Sequence, residues 1–249
     1  MQEGLHSLSQ WASDWQLNIS ITKCAVLHLG RHNLLHDYKI AGSALPSVRE
    51  IRDLGVKVDS KLCFSAHYAE IAAKAHQRAG LILRCFKSRD PRVLFRAFTV
   101  YVRPIIEYCS PVWSPVYKKD IIKLEAVQRR FTKKLQGLSK LQYSERLIKL
   151  NTDTLELRRL KQDLLTMFKV FNGLLVLNIP DFFELSHVNT RGHEFKVIKP
   201  SCVNNARVFS FACRRIDCWN SLPANIVKMS LSEFRDKLNY INFSNYLFI

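Results

Sequence analysis

The sequence predicts an α+β fold that is mostly helical, and three observations carry that expectation. From residue 67 onward, apolar residues recur at helical spacing. Strand-like alternation is confined to the first quarter of the chain, chiefly residues 48–58. Hydrophobic residues fill 47% of the 249 positions and charged ones 24%, ample for one large core or two or three small ones.

Leu5, Leu8, Trp11, Ala12 and Trp15 fall on one face of a helix that starts almost at Met1, as in a chain cut from something longer. Residues 19–29 are rich in β-branched and apolar types and stop at Gly30, the pattern of a strand. Residues 31–45 are loop-like, with a short strand near 38–40. Residues 48–58 predict a β-hairpin, with Val48, Leu54, Val56 and Val58 alternating and Gly55 inside it. Residues 1–66 are thus a small α+β unit with too few strands for a complete sheet.

Residues 67–87 form the next predicted helix, with Ile71, Ala75, Leu81, Ile82 and Cys85 on its apolar side. It stops before Asp90-Pro91, where proline suits the first turn of a new helix. That helix, 91–108, carries Leu94, Phe95, Phe98, Tyr101, Val102, Ile105 and Ile106, with a kink expected at Pro104. Pro111 and Pro115 bound a short loop around Trp113. Helix 118–136 sets Ile121, Leu124, Val127, Phe131 and Leu135 against a cationic opposite face, and residues 67–140 read as a compact three-helix bundle. Further helices are expected at 144–150, 154–171 (capped by Thr154), 206–219 and 231–240. Residues 178–205 read as irregular and 220–223 as a turn.

The charge is +17, from 38 basic and 21 acidic residues, which favours a polyanionic partner. It is concentrated: seven basic residues face six acidic ones in 1–66, sixteen face five in 67–140, and fifteen face ten in 141–249. Seven scattered cysteines without a Cys-x-x-Cys pair, and no secretory signal, predict reduced thiols in a nuclear or cytoplasmic protein. The Asn-x-Ser triplets at Asn18 and Asn242 then carry no glycan. No apolar run approaches a membrane span. His28, His32 and His36 would share a helix face, but Gly30 and the strand-like run argue against a helix there. His193, Cys202, Cys213 and Cys218 lack zinc-knuckle spacing, so no metal site is expected. The four tryptophans, Trp11, Trp15, Trp113 and Trp219, are able to stack on bases, yet their apolar stripes point to core packing. No P-loop, dinucleotide fingerprint or nucleophile elbow is present.

Trp11-Ala12-Ser13-Asp14-Trp15-Gln16-Leu17 running to Lys23-Cys24, followed by Ile51-Arg52-Asp53-Leu54-Gly55-Val56, resembles the reverse transcriptase of a non-LTR (LINE-like, jockey-type) retrotransposon. The likeness continues through Tyr101–Tyr108 with Trp113-Ser114-Pro115, then Leu124–Lys133, then Glu145-Arg146-Leu147. Leu155–Arg159, Asp163-Leu164, Phe211 with Arg215, and Trp219–Pro223 complete it. The matched part lies just after the catalytic Asp-Asp box, and no Asp-Asp pair occurs in the chain.

The resemblance implies a partial polymerase palm with its hairpin (1–66), a helical thumb (67–140) and a helical C-terminal region (141–249). It implies an RNA-directed DNA polymerase that binds an RNA–DNA primer-template, missing the N-terminal polymerase half and its metal-binding carboxylates. Mg²⁺ is expected only for the full-length polymerase and no cofactor for this chain, so polymerisation by the chain alone is not expected. Lys23 then falls where a cation protonates the leaving pyrophosphate, unless it is a plain surface lysine. Arg52, Asp53, Leu54, Gly55 and Val56 match the primer grip, where a glycine lets backbone approach nucleic acid closely. Lys74, Arg78, Arg84, Lys87, Lys119, Lys123, Arg130, Lys133 and Lys134 are the expected phosphate-tracking cations, against the plainer reading of a solvated helix face. The alternatives are a non-catalytic nucleic-acid-binding or protein-interaction remnant, or a decayed open reading frame.

Overall fold

A computed structural model describes residues 1–30, 32–186 and 192–249; residues 31 and 187–191, within the predicted loops, lie outside the described residues. The chain divides into two compact units, Met1–His67 and Tyr68–Ile249.

In the first unit, α1 (Gln2–Asp14) precedes three separate two-stranded pairs. β1 (Val26–Leu27) pairs in parallel with β4 (Ser47–Val48), and β2 (Lys39–Ile40) with β3 (Ser43–Ala44) as a hairpin. The longest pair is the hairpin β5 (Glu50–Asp53) and β6 (Val56–Asp59). The Gln2 amide ties α1 to β2, donating to the Lys39 carbonyl at 2.9 Å and accepting its N–H at 3.0 Å.

Two expectations are corrected here. The strand predicted over 19–29 shrinks to β1, because Ser20 turns the backbone: its carbonyl accepts from Lys23 N–H at 3.0 Å and from the Cys24 thiol at 3.3 Å. Leu54 does not alternate into the hairpin's apolar side but forms its turn with Gly55, at φ +42° and +88°, and is 85% exposed. Two successive positive φ values are the pattern that matches strand twist in a two-residue hairpin.

The second unit is helical. The division falls inside α2 (Ser65–Cys85), which buries Ile71, Ala75 and Ile82. Leu81 and Cys85, expected on that side, are exposed, because at about 100° per residue they fall about 80° and about 40° outside the buried apolar stripe. α3 (Pro91–Tyr101) starts as predicted, with the Asp90 carboxylate accepting Arg92 N–H at 2.8 Å and Pro91 in the first turn. The expected kink is a full break at Val102, after which α4 (Arg103–Glu107) carries Pro104. α5 (Ser110–Trp113) and α6 (Lys118–Lys133) follow. Phe98 of α3 stacks on Phe131 of α6 at 4.6 Å, and the Tyr68 hydroxyl of α2 donates to the Trp113 carbonyl at 2.6 Å.

α7 (Tyr143–Lys149) opens with a reciprocal capping box between Gln142 and Glu145. α8 (Leu155–Phe171) is capped by Thr154, as expected, and is the axis of the remaining core. Leu160, Leu164, Met167 and Phe168 meet Trp219, Val227 and Phe234 there, all almost fully buried. α9 (Ile179–Phe182) precedes an isolated bridge between Leu185 and Val197.

The single helix expected over 206–219 is instead three: α10 (Asn205–Val208), α11 (Phe211–Arg214) and α12 (Ile216–Asn220). The Ser210 hydroxyl closes the first by donating to the Arg207 carbonyl at 2.7 Å, and Arg214 and Arg215 are both drawn to Asp163 of α8. α13 (Ala224–Val227) and α14 (Leu231–Lys237) finish the core.

Candidate nucleic-acid interface

Every cation singled out in residues 67–140 is exposed: Lys74, Arg78, Arg84, Lys87, Lys119, Lys123, Arg130, Lys133 and Lys134. On α6 they form one stripe. At 100° per residue, Lys119, Lys123, Arg130, Lys133 and Lys134 fall within about 100° of arc and about 22 Å of helix length. Ile121, Leu124, Val127 and Phe131 occupy the buried side and fix which way the stripe points.

Neighbouring groups discount some of this charge. Lys74 pairs with Glu70 at 2.7 Å, and Lys123 lies 3.7 Å from the buried Asp120. Lys119 sits over the Tyr117 ring at 5.9 Å. Arg130, Lys133 and Lys134 have no carboxylate partner among the described residues. The field of Arg130 and Lys134 reaches α2: burial, then these two cations, hold the His76 imidazole below its ordinary pKa. Arg130 and Lys134 therefore lie near the His76 side of α2.

What aims the stripe is a buried polar network that composition does not reveal. The Glu125 carboxylate, fully buried on α6, accepts from Leu155 N–H at 3.1 Å, Glu156 N–H at 3.3 Å and the Tyr143 hydroxyl. It thereby caps α8, with an anion at a helix N-terminus where the dipole favours it. Gln128 donates to the Asp153 carbonyl at 3.0 Å and to Tyr143 at 3.1 Å, and accepts from Arg103 at 3.2 Å. Burial pushes the Arg103 guanidinium down to about 10, with Arg158 adding to the shift. Arg158 is itself engaged by Glu107 at 2.9 Å.

The stretch Leu124–Lys133 thus divides its labour. Glu125 and Gln128 point inward and hold α6 to α7 and α8, while Arg130 and Lys133 point outward. Sequence reasoning missed Glu125, Gln128, Tyr143 and Arg103 as partners. The available signal lay on α6, where Gln128 falls inside the apolar stripe and Glu125 at its edge.

In the first unit, Arg52 donates to the Gly55 carbonyl at 3.1 Å and Lys57 pairs with Glu50 at 2.7 Å, so the β5–β6 hairpin is braced by its own side chains. Gly55 is accounted for by the turn, whether or not nucleic acid approaches it. Val56 is buried, and Asp53 and Leu54 are exposed. Lys23 ends a single helical turn, Ile21–Lys23, and is exposed. Among the described residues no cluster of three His, Cys, Asp or Glu is placed to hold a metal ion. The described residues therefore do not supply the carboxylates of a two-metal site.

The tryptophans split. Trp113 and Trp219 are buried, donating through their indole N–H to the Tyr108 and Phe195 carbonyls at 2.8 Å. Trp11 and Trp15 are 51% and 68% exposed, against the expectation of core packing. The α1 stripe has only Ala12 buried, so its large rings remain on the surface.

Similarity to known proteins was found at a distance. The chain is 23% identical over 141 residues to the RNA-directed DNA polymerase from mobile element jockey of Drosophila melanogaster, covering 55% of this chain and 15% of that protein. The jockey polymerase of Drosophila funebris is 25% identical over 143 residues, with the same coverage. The partial likeness supports an origin shared with these polymerases. An uncharacterized protein of Caenorhabditis elegans is 28% identical over 127 residues, covering 50% of this chain and 64% of the worm protein. The matched stretch thus spans under two thirds of each relative. No family model and no solved structure matches the chain.

Proposed function

We propose that this chain is the C-terminal part of a non-LTR retrotransposon RNA-directed DNA polymerase, and that it binds primer-template nucleic acid without polymerising by itself. In this reading residues 1–66 end a palm, with Arg52–Val56 as its primer grip and Lys23 beside the leaving pyrophosphate. Residues 67–140 are the thumb and 141–249 brace it. The observation that carries the proposal is the α6 stripe, five exposed cations on one face held by a buried network. Its length of about 22 Å matches roughly six base pairs of duplex. Contacts of this kind fix position and register and carry no base sequence.

Binding is tested by fluorescence anisotropy of an RNA–DNA hybrid at several salt concentrations. Neutralising Lys119, Lys123, Lys133 and Lys134 together to Ala removes up to four phosphate contacts, flattening the log–log salt slope by about 3.6. Between 50 and 200 mM salt the parent then loses on the order of 100-fold more affinity than the variant. An unchanged slope contradicts the assignment. Primer extension by the purified chain that stops when Mg²⁺ is chelated contradicts the non-catalytic half of the proposal.

A further inference from the structure

A second surface of the helical unit has a different character from the cationic stripe. On α3, Val93, Ala97, Val100 and Tyr101 share one face, and with Phe86 beyond the end of α2 they line an open groove of about 460 Å³. Val93, Val100 and Tyr101 are 43%, 48% and 54% exposed, while Leu94, Phe95 and Phe98 on the opposite side of the same helix fill the core. Arg92 and Arg96, one helical turn apart, line the groove along one edge, and both are exposed.

We infer that this groove docks an amphipathic, acidic helix of a protein partner. Its floor is aliphatic and spaced i, i+4, i+7, the spacing at which a second helix inserts its own apolar row. The arginine edge selects carboxylates along one flank of the incoming helix, since guanidinium pairs them in a fixed fork. A second copy of this chain is disfavoured, because it would set arginines against arginines. Single-stranded nucleic acid is disfavoured by the floor: stacking uses aromatic platforms, and here Phe86 and Tyr101 flank an aliphatic centre.

The test uses the full chain and three fluorescent probes. One is an 18-residue designed helix with leucines at i, i+4, i+7 and i+11 and glutamates on one flank. The second carries lysines in place of the glutamates, and the third is an oligothymidylate. The glutamate helix is expected to bind at least tenfold more tightly than the lysine helix, and Val100→Asp is expected to weaken it at least tenfold. The double charge swap Arg92→Glu with Arg96→Glu is expected to invert the preference, so that the lysine helix becomes the tighter ligand. Both arginines and Val100 are surface residues, and unchanged thermal melts of the variants confirm that the fold is kept. Binding of the glutamate helix that ignores the charge swap overturns the inference. So does loss of oligothymidylate affinity on Val100→Asp with no discrimination between the two helices.

Discussion

Replacing Asp163 removes the carboxylate around which the C-terminal region is assembled, and its cost can be worked from the contacts. Asp163 is fully buried in α8 and accepts from Arg214 Nη2 at 2.7 Å, Arg214 Nε at 3.0 Å and Arg215 Nε at 3.1 Å. Arg214 also donates to the Pro111 carbonyl at 2.6 Å, so one ion cluster ties α5, α8 and α11 together. The Arg214 side chain is only 3% exposed. Asp163→Ala therefore strands a buried guanidinium rather than merely deleting a bond, a change that costs about 3–5 kcal/mol. For a chain this size that lowers the midpoint of thermal unfolding by roughly 6–20 °C.

The assay is urea and thermal denaturation followed by circular dichroism. Asp217→Ala is the control: its pair with Lys199 is about two-thirds exposed on both sides and contributes at most about 1 kcal/mol. An Asp163→Ala variant within ~1 kcal/mol of the parent shows instead that Arg214 is not left as an unpaired buried charge.

Three further outcomes follow from other parts of the molecule. Tyr143→Phe removes a hydroxyl bonded to the buried Glu125 while keeping the ring under Arg129 at 4.8 Å; urea denaturation should show a loss of about 1.5–3 kcal/mol, and a loss below ~0.5 kcal/mol speaks against the network. His76 is held low by burial and by Arg130 and Lys134, so phosphates that neutralise those cations should raise its pKa, and affinity for an RNA–DNA hybrid should increase as pH falls through that raised value towards the free one. An imidazole titration by NMR that is unmoved by the hybrid contradicts this. The Cys202 and Cys213 sulfurs lie 3.9 Å apart, and diamide, taking up two electrons and two protons, should join them with loss of two hydrogens by mass spectrometry. Burial raises the Cys213 thiol, so closure should quicken as pH rises; Cys218, buried and pushed up to about 12, should stay unreacted, and a product linking Cys218 instead refutes the pairing.

The sequence showed the helices best where an apolar stripe coincided with punctuation. Asp90-Pro91 and Thr154 marked two helix starts correctly because each supplies a group that the first turn requires. The outward direction of the α6 cations was legible too, since Ile121, Leu124, Val127 and Phe131 leave them no other side. Alternation failed at Leu54, where turn geometry outweighed hydrophobicity, and continuity failed at 206–219, where Asp163 captures two adjacent arginines from 51 and 52 residues away. Such long-range ion pairs leave no periodic trace. Trp11 and Trp15 looked like core because periodicity identifies an apolar face, not whether anything covers it.

Photo-cross-linking of a bromouridine-substituted RNA–DNA hybrid to the chain, with the adducts mapped by mass spectrometry, decides whether the α6 stripe holds a nucleic-acid backbone. Adducts on peptides carrying Lys119–Lys134 and Lys74–Arg78, lost in 0.5 M salt, are the predicted result. Adducts confined to the peptides beyond residue 141, or spread without preference over the basic surface, contradict it.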